Sequence, residues 1–264
     1  MNSINKIKIS ALIVARNEEA NIHDCLRSIE TIDEIVLLLD RSNDSTIKIA
    51  KSFNCNIYEG NWPSEGVRRN EGIHKCSNNW ILELDADERG SIDLINEAKE
   101  KIMNLKDDSE GYFLIPFDNY IGNKRIRYGW GASWGVSSKP CLFNKNSKIW
   151  GQESIHPSLK LTLKQGFLTN RIEHYVDKNI SDMIQRLDTY TSARARDLRK
   201  SSDKLPPLWI TIRRSLTRFY KCFITRKGYK EKGWGFLNAT FAALFVLISY
   251  FKAKLENDEE QPKH

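Results

Sequence analysis

Short apolar runs alternate with amphipathic stretches through about the first ninety residues of the chain. Four runs rich in β-branched and aliphatic residues predict buried strands at residues 7–15, 35–39, 55–58 and 80–84. The stretch after the first run carries apolar residues at helical spacing on one face: Ile22, Cys25, Leu26 and Ile29. Further helices are predicted after Asp44 and over residues 64–76. This alternation predicts an α/β fold, with a mostly parallel sheet flanked by helices.

Polar residues follow three of the predicted strands directly. Arg16 and Glu18 come after the first strand, Asp40 ends the second, and residues 85–88 follow the fourth. Ligands of parallel α/β sheets bind beyond the carboxyl ends of the strands, which all meet at one edge. The three polar groups are therefore predicted to form one site.

Three acids stand close together after the fourth strand: Asp85, Asp87 and Glu88. Like charges at this spacing repel one another unless a cation or a sugar hydroxyl lies among them. Asp85 and Asp87 are two residues apart, so their side chains point the same way on extended chain. That arrangement suits one Mg²⁺ or Mn²⁺ ion, with diphosphate oxygens as further ligands. Alone, the triplet fits a solvated acidic turn equally well, and the convergence of three polar groups favours the metal site.

Several classes of protein are disfavoured. The first strand is not followed by G-x-G-x-x-G, and no P-loop is present, so a dinucleotide cofactor is not expected. The five cysteines are scattered and form no C-x-x-C pair, which indicates reduced thiols. No signal peptide is recognisable, and we expect a cytoplasmic protein.

Four segments together resemble the inverting glycosyltransferases of family 2, which have the GT-A fold. They are ARNEEANIHDCLRSI, IVLLLDRSNDST, EGVRRNEGI and WILELDADER, in that order. Within the family, the chain is most similar to small bacterial glucosyltransferases of the lipopolysaccharide core. That closer resemblance depends on GNWPSEGVRRN, on QESIHPSL and on the basic C-terminal part.

The resemblance implies roles for individual residues. Asp40 and Glu18 would line the nucleoside pocket, and Arg69 and Asn70 would lie against the nucleotide. We assign Arg16, after the first strand, to the same site. Asp85 and Asp87 would be the D-x-D pair that holds the metal and the donor diphosphate, so Asp87 is also essential for catalysis. The family often has two acids before a glycine here, whereas this chain has Leu39 before Asp40 and Arg41 after it.

An inverting transferase needs a base that takes the proton of the acceptor hydroxyl. Glu153, in the segment WGQESIHP, is the predicted base, with Asp118 as the alternative and His156 as an assisting group. His174 resembles a late histidine near the donor, although a structural role is favoured for it. Aromatic residues near 128–135, Trp130 and Trp134 among them, fit either stacking on a sugar or packing in a core.

The positive charge of the chain is concentrated near its C-terminus. The formal charge is +7, yet residues 199–232 alone contain eleven Lys/Arg and two acids. Residues 208–225 form a basic amphipathic pattern, which favours an anionic membrane surface over nucleic acid. The uncharged residues 235–251 predict an interfacial helix, ahead of a core-packed helix or a span.

These patterns predict a GT-A domain over residues 1–200, with a nucleotide-sugar half (1–105) and an acceptor half (106–200). Residues 201–264 would be a helical, membrane-associating extension. The expected function is metal-dependent transfer of a sugar, with UDP-glucose as the favoured donor, to a lipid-linked or lipopolysaccharide-core acceptor. The enzyme would lie peripherally on the inner face of the cell membrane, without a nucleic-acid partner. The alternatives are a sugar nucleotidyltransferase and a non-catalytic membrane- or nucleic-acid-binding protein.

Overall fold

The structure is a computed structural model that describes residues 7–130, 137–152, 157–201 and 205–256. The chain forms two compact units. Unit 1 contains residues 1–117 and 138–174, and unit 2 contains residues 118–137 and 175–264. The predicted domain boundaries at residues 105 and 200 remain predictions.

The first half of unit 1 is a regular alternation of strands and helices. Its elements are β1 (Ile9–Ala15), α1 (Ile22–Ser28), β2 (Glu34–Asp40), α2 (Thr46–Ala50), β3 (Asn56–Gly60), α3 (Glu65–Lys75) and β4 (Trp80–Asp85). β1 pairs in parallel with β2 and β4, and β2 pairs in parallel with β3. The predicted strands are confirmed within one or two residues at each end.

The later elements extend this sheet with antiparallel strands. They are β5 (Glu88–Arg89), α4 (Ile92–Met103), β6 (Tyr112–Ile121), β7 (Lys124–Ile126), β8 (Ser138–Asn144), β9 (Lys148–Trp150), β10 (Leu159–Leu161), β11 (Lys164–Phe167) and β12 (Ile172–Asp177). The strand order is β3-β2-β1-β4-β8-β6-β12-β5. β8 runs antiparallel to both β4 and β6. The predicted fold class, a mostly parallel GT-A-like sheet flanked by helices, is confirmed.

The central strands of unit 1 are covered on both faces. Every residue of β1 is buried, and so are Val36 to Asp40 of β2. α1 contributes Ile22, Cys25 and Leu26 to this core, as its helical spacing predicts. Two serines cap the helices that follow: Ser64 accepts from Val67 N, and Ser91 accepts from Leu94 N.

Unit 2 contains the long helices α5 (Ile180–Lys200), α6 (Leu208–Tyr220) and α7 (Lys232–Leu255). A π-helical turn at Lys221–Thr225 and a 3₁₀ turn at Gly228–Glu231 connect α6 to α7. Apolar residues of α5 and α7 pack with the end of β6 and with β7 in one core; they include Ile121, Ile126, Met183, Leu187, Ala239 and Phe241. Asn179 caps α5, because its side chain accepts from Asp182 N at 2.9 Å.

Trp130 also belongs to the core of unit 2. It is 7% exposed, and its indole donates to the carbonyl of Ile126 at 2.6 Å. This favours packing over sugar stacking for Trp130. Trp134 lies outside the described residues.

One helical stretch of the described chain, Gly228–Leu255, is long and apolar enough to cross a membrane, judged by length and composition alone. Within unit 2, α7 packs against both α5 and α6. Its residues Asn238, Ala239, Ala242 and Ser249 are buried, whereas Phe236 and Phe251 are exposed.

Candidate functional site

The strand order places a candidate site at the carboxyl ends of β1 and β4. The chain runs outward from β1 to β2 and β3, and then returns to place β4 on the other side of β1. Such a reversal leaves a crevice beyond the strand ends, where α/β proteins bind ligands. The register pairs Val14 with Asp85 on one side of β1 and Ala15 with Leu39 on the other. Asp40 and Asp85 therefore reach the same edge of the sheet, as predicted.

Three side chains at this edge form a potential metal-binding group. One ligand atom from each of Asp87, Glu88 and His174 lies within 4.8 Å of the others. His174 Nε2 is 3.4 Å from Asp87 Oδ2. β12 and β5 bring the histidine here, because His174 pairs with Glu88 in their antiparallel register. Two carboxylates and an imidazole are ligands that Mn²⁺ accepts.

Asp85 has cationic partners in the structure. Its carboxylate oxygens accept from Arg69 Nη2 at 2.7 Å and from Lys139 Nζ at 3.3 Å. The same Lys139 donates to Glu88 at 2.6 Å. Asp85 and Asp87 therefore have different surroundings, and the metal role of Asp85 remains a prediction.

Glu88 is the most buried acid of the group, at 1% exposed. Burial and the negative charge of Asp85 raise the pKa of its carboxyl to about 7, although Lys139 acts in the opposite direction. Glu88 also accepts from the backbone N–H of Asp85 at 3.1 Å. A cation at this position would favour the ionised carboxylate.

Asp40 lies buried under two arginines. Arg41 donates to its two oxygens at 2.8 and 2.9 Å, and Arg68 donates at 3.1 Å. Burial alone would raise the pKa of Asp40, but the hydrogen bonds and charges of the two arginines hold it below its ordinary value. The carboxylate is thus ionised and fixed in position at the end of β2.

The loop after β1 approaches the acids from the other side. Burial, together with the charges of Asp87 and Asp85, raises the pKa of Glu18, although its hydrogen bond from Asn21 opposes the shift. The backbone N–H of Glu18 donates to Thr46 Oγ1 at 2.8 Å, which ties the loop to α2. Arg16 is exposed at the end of β1.

α3 connects several parts of this site through consecutive side chains. Arg68 reaches Asp40, whereas Arg69 bonds both Glu83 and Asp85 at the end of β4. Asn70 exchanges two hydrogen bonds with the backbone of Trp150 at the end of β9. Arg69 and Asn70 thus have protein partners here, and their contact with a nucleotide remains a prediction.

The predicted base, Glu153, and His156 lie outside the described residues. Backbone hydrogen bonds hold the residues on either side of this segment, because Gly151 N donates to Ser158 O at 2.7 Å and β9 pairs with β10. α3 packs tightly against this hairpin at Gly66, where a Cβ atom would lie 1.7 Å from the carbonyl oxygen of Gly151. The alternative base, Asp118, belongs to unit 2, where Arg125 donates to it at 2.8 Å.

Two lysines of the site were not predicted from the sequence. Lys139 bonds Asp85 and Glu88, and Lys148 is 2.5 Å from the buried Glu83. Lys139 lies on β8, on the antiparallel side of the main sheet, whereas Lys148 lies on β9, in the separate two-stranded sheet with β10. The contact of Lys139 with Asp85 depends on the pairing of β8 with β4, which no local sequence signal specifies.

The mostly parallel sheet and its reversal beside β1 form a GT-A-like fold. Residues 10–156 match the model of the family Glycosyl transferase family 2. The chain belongs to glycosyl transferase family 2. This confirms the family and enzyme class predicted from the sequence, and it disfavours both alternatives, the nucleotidyltransferase and the non-catalytic binding protein.

Relatives of similar length carry glycosyltransferase names. An uncharacterized glycosyltransferase of Rickettsia felis is 24% identical over 266 residues, which cover 94% of this chain and 89% of that protein. The lipopolysaccharide core biosynthesis glycosyltransferase LpsC of Rhizobium meliloti is 22% identical over 278 residues, covering 94% and 93% of the two chains. Among solved structures, S. aureus TarS 1–349 in complex with UDP is similar with a TM-score of 0.49 and 14% identity, over 98% of this chain and 93% of that one.

Proposed function

We propose that this enzyme is a metal-dependent, inverting glycosyltransferase that uses a UDP-sugar, with glucose as the favoured sugar. The observation that supports this most directly is the group of Asp87, Glu88 and His174 at the carboxyl end of β4. A neutral ligand without phosphate has no negative charge for a cation at this position to neutralise, whereas the diphosphate of a nucleotide sugar has.

The donor atoms of the group fit a divalent cation. Asp87 and His174 are partly accessible, with 32% and 13% of their side chains exposed, while Glu88 is buried. A mixed oxygen and nitrogen set favours Mn²⁺, and Mg²⁺ remains the alternative because it prefers oxygen ligands. When bound, the cation would neutralise the negative charge that develops on the departing diphosphate.

The nucleoside would lie between the loop after β1 and the end of β2. Asp40 is fixed and ionised there, so it can accept from a base N–H or a ribose hydroxyl. Glu18 and Arg16 would line the same pocket from the loop. Arg69 and Asn70 would support it from α3, with Arg69 holding Asp85 beside the diphosphate.

The acceptor hydroxyl would be activated by Glu153. Glu153 lies three residues beyond Trp150 in the sequence, and Asn70 anchors the backbone of Trp150. A base on one side and the leaving diphosphate on the other would give a single displacement, which inverts the anomeric centre. The donor would lose its α linkage and the product would be β-linked.

We further propose a lipid-linked acceptor, such as a lipopolysaccharide core, at the cytoplasmic face of the membrane. The name of the relative LpsC supports the acceptor class. The basic face and the exposed apolar residues of α6 support association with an anionic surface. α7 would contribute through its exposed aromatic residues rather than as a span.

Calorimetry of the full chain with UDP, with and without Mn²⁺, tests the donor and metal proposals together. We expect binding heat that depends on Mn²⁺ and is lost in Asp87→Ala. Equal heats with and without the metal would contradict metal dependence. A screen of radiolabelled nucleotide sugars against membrane lipid extract then identifies the sugar, and transfer to water-soluble products alone would contradict a lipid-linked acceptor.

A further inference from the structure

A groove of about 430 Å³ lies within unit 2, among α5, α6 and α7. Leu198 of α5 and Phe245, Val246 and Tyr250 of α7 give it apolar walls. All three helices belong to the same unit, so the groove is a feature of that unit alone. The metal-ligand candidates, in contrast, belong to unit 1.

Five cationic side chains line this groove: Arg194, Arg213, Arg214, Arg218 and Lys221. The described residues that line it include no acid. Within residues 7–130, 137–152, 157–201 and 205–256, none of the five forms an ion pair. Clustered, unpaired guanidinium groups repel one another, and a phosphate would relieve that repulsion while accepting their forked hydrogen bonds.

A second, independent observation points to a ligand in the same place. Three aliphatic hydroxyl groups line the groove, and two of them donate to helix carbonyls: Thr217 to Arg213 O at 2.8 Å, and Ser249 to Phe245 O at 2.6 Å. Thr211 is only 3% exposed, and its hydroxyl has no partner among the described residues. A buried polar group without a partner is costly, and such groups usually serve a ligand or a water.

The outer face of α6 indicates where the ligand would come from. Trp209, Ile212, Leu216 and Tyr220 follow one another at helical spacing and are each between 43% and 66% exposed. By helical spacing, Arg213, which also lines the groove, is next to this apolar stripe. Apolar residues next to a cationic surface suit the boundary between the headgroups and acyl chains of a membrane, whereas a free anion or a nucleic acid would leave the stripe in water.

We infer that this groove binds the phosphorylated headgroup of an anionic membrane lipid. The arginines and the Thr211 hydroxyl contact the phosphate, the apolar walls contact the first methylenes of the lipid, and the stripe of α6 enters the acyl region. The inference depends on the proposed membrane association, and it adds a defined headgroup site to it. It does not depend on the donor, the metal or the sugar acceptor.

Flotation of the full chain with vesicles tests this inference. Vesicles of phosphatidylcholine with 30% phosphatidylglycerol should bind the protein roughly tenfold or more tightly than pure phosphatidylcholine vesicles. Arg214→Gln with Arg218→Gln should remove most of that preference. The control variant, Lys124→Gln with Lys178→Gln, removes the same charge from unit 2 outside the groove. It should keep the preference for vesicles that contain phosphatidylglycerol. Thr211→Val should weaken binding about threefold or more without lowering the melting temperature.

The outcomes separate the possible sources of the charge effect. Equal losses in the groove pair and the control pair would overturn the inference, because net charge alone would then explain binding. An unchanged vesicle affinity in Thr211→Val would also overturn the inference, as would release of the protein from vesicles by millimolar inorganic phosphate alone. The same holds if a short oligonucleotide binds more tightly than the vesicles and the Arg214→Gln, Arg218→Gln variant loses that binding. Metal-dependent UDP binding, measured on each variant, should not change, so failure here and failure of the proposed function are distinguishable.

Discussion

Arg41 donates two hydrogen bonds to the carboxylate of the residue before it, Asp40, at 2.8 and 2.9 Å. It does so with a φ of +52°, in the left-handed region that favours glycine. The chain thus retains the backbone turn without the glycine, and the side chain of Arg41 covers the acid that is proposed to hold the nucleoside. The departure from the family pattern has a structural explanation at this position.

We predict that Arg41→Gly tightens the binding of UDP. Glycine adopts the same φ without the steric cost of about 1 kcal/mol that a residue with a Cβ atom has there. In the variant, Asp40 still has Arg68 as a partner. The free energy of unfolding should change by less than about 1 kcal/mol, because relief of strain offsets the lost hydrogen bonds. Calorimetry with UDP measures the affinity. Arg41→Lys keeps the charge without the fork and should be intermediate; weaker binding in Arg41→Gly would instead make Arg41 a ligand of the nucleotide.

Asn70 and Trp150 lead to a second prediction. The Asn70 amide donates to Trp150 O at 2.8 Å and accepts from Trp150 N at 3.0 Å, just before the segment that contains Glu153. Asn70→Ala should lower the free energy of unfolding by about 1–3 kcal/mol, because the Trp150 backbone loses both partners. Turnover should fall at least about tenfold, with less effect on the affinity for UDP, because the base segment loses its anchor.

Chemical denaturation and steady-state kinetics measure these two effects. Asn54→Ala, at an exposed position after α2, is the matched control and should change neither. Unchanged turnover in Asn70→Ala would mean that the base does not depend on this anchor, or that Glu153 is not the base.

The nucleotide half of the fold could be predicted well from the sequence because its signals are local. Short runs of apolar and β-branched residues locate β1 and β4 in the sequence. Because the strands are parallel, Asp40 and Asp85 at their carboxyl ends lie at the same edge of the sheet. Which cations would meet those acids could not be predicted in the same way. Lys139 reaches Asp85 only through the antiparallel register of β8 with β4, which depends on tertiary pairing.

His174 illustrates the same limit. Its position in the sequence resembles that of a late histidine near the donor, yet a packed side chain is favoured over a ligand. The pairing of β12 with β5 brings His174 opposite Glu88. In the sequence, most of the acceptor half of the chain lies between these two residues. Helix α5 is a further example: both Asn179 and Ser181 are good capping residues, and only the backbone geometry selects Asn179.

The raised pKa of Glu88 predicts a pH dependence of stability in the metal-free protein. Its ordinary value is 4.5 and its folded value is about 7, so the folded state binds the proton more tightly than the unfolded state. Stability from this group is therefore present below about pH 4.5 and is lost as the pH rises towards 7. In Glu88→Gln the slope over this window should be less negative by up to about 1.4 kcal/mol per pH unit.

Urea unfolding in the presence of a chelator, at several pH values between 4.5 and 7.5, measures this slope. Glu59→Gln, at an exposed position on β3, should retain the slope of the parent protein. Parallel curves for the parent and Glu88→Gln would mean that Lys139 holds the Glu88 carboxylate ionised throughout.

Removing the imidazole of His174 tests the metal group most directly. Its Nε2 lies 3.4 Å from Asp87 Oδ2, so His174→Ala should weaken Mn²⁺ binding at least about tenfold, while Asp87→Ala should abolish sugar transfer with the fold intact. Electron paramagnetic resonance of free Mn²⁺ measures the affinity without depending on turnover, and circular dichroism checks the fold. His74→Ala, at an exposed position on α3, removes a histidine away from the acids and should bind Mn²⁺ like the parent. Parent-like Mn²⁺ affinity in His174→Ala, together with loss in Asp85→Ala, would move the metal to the D-x-D pair alone.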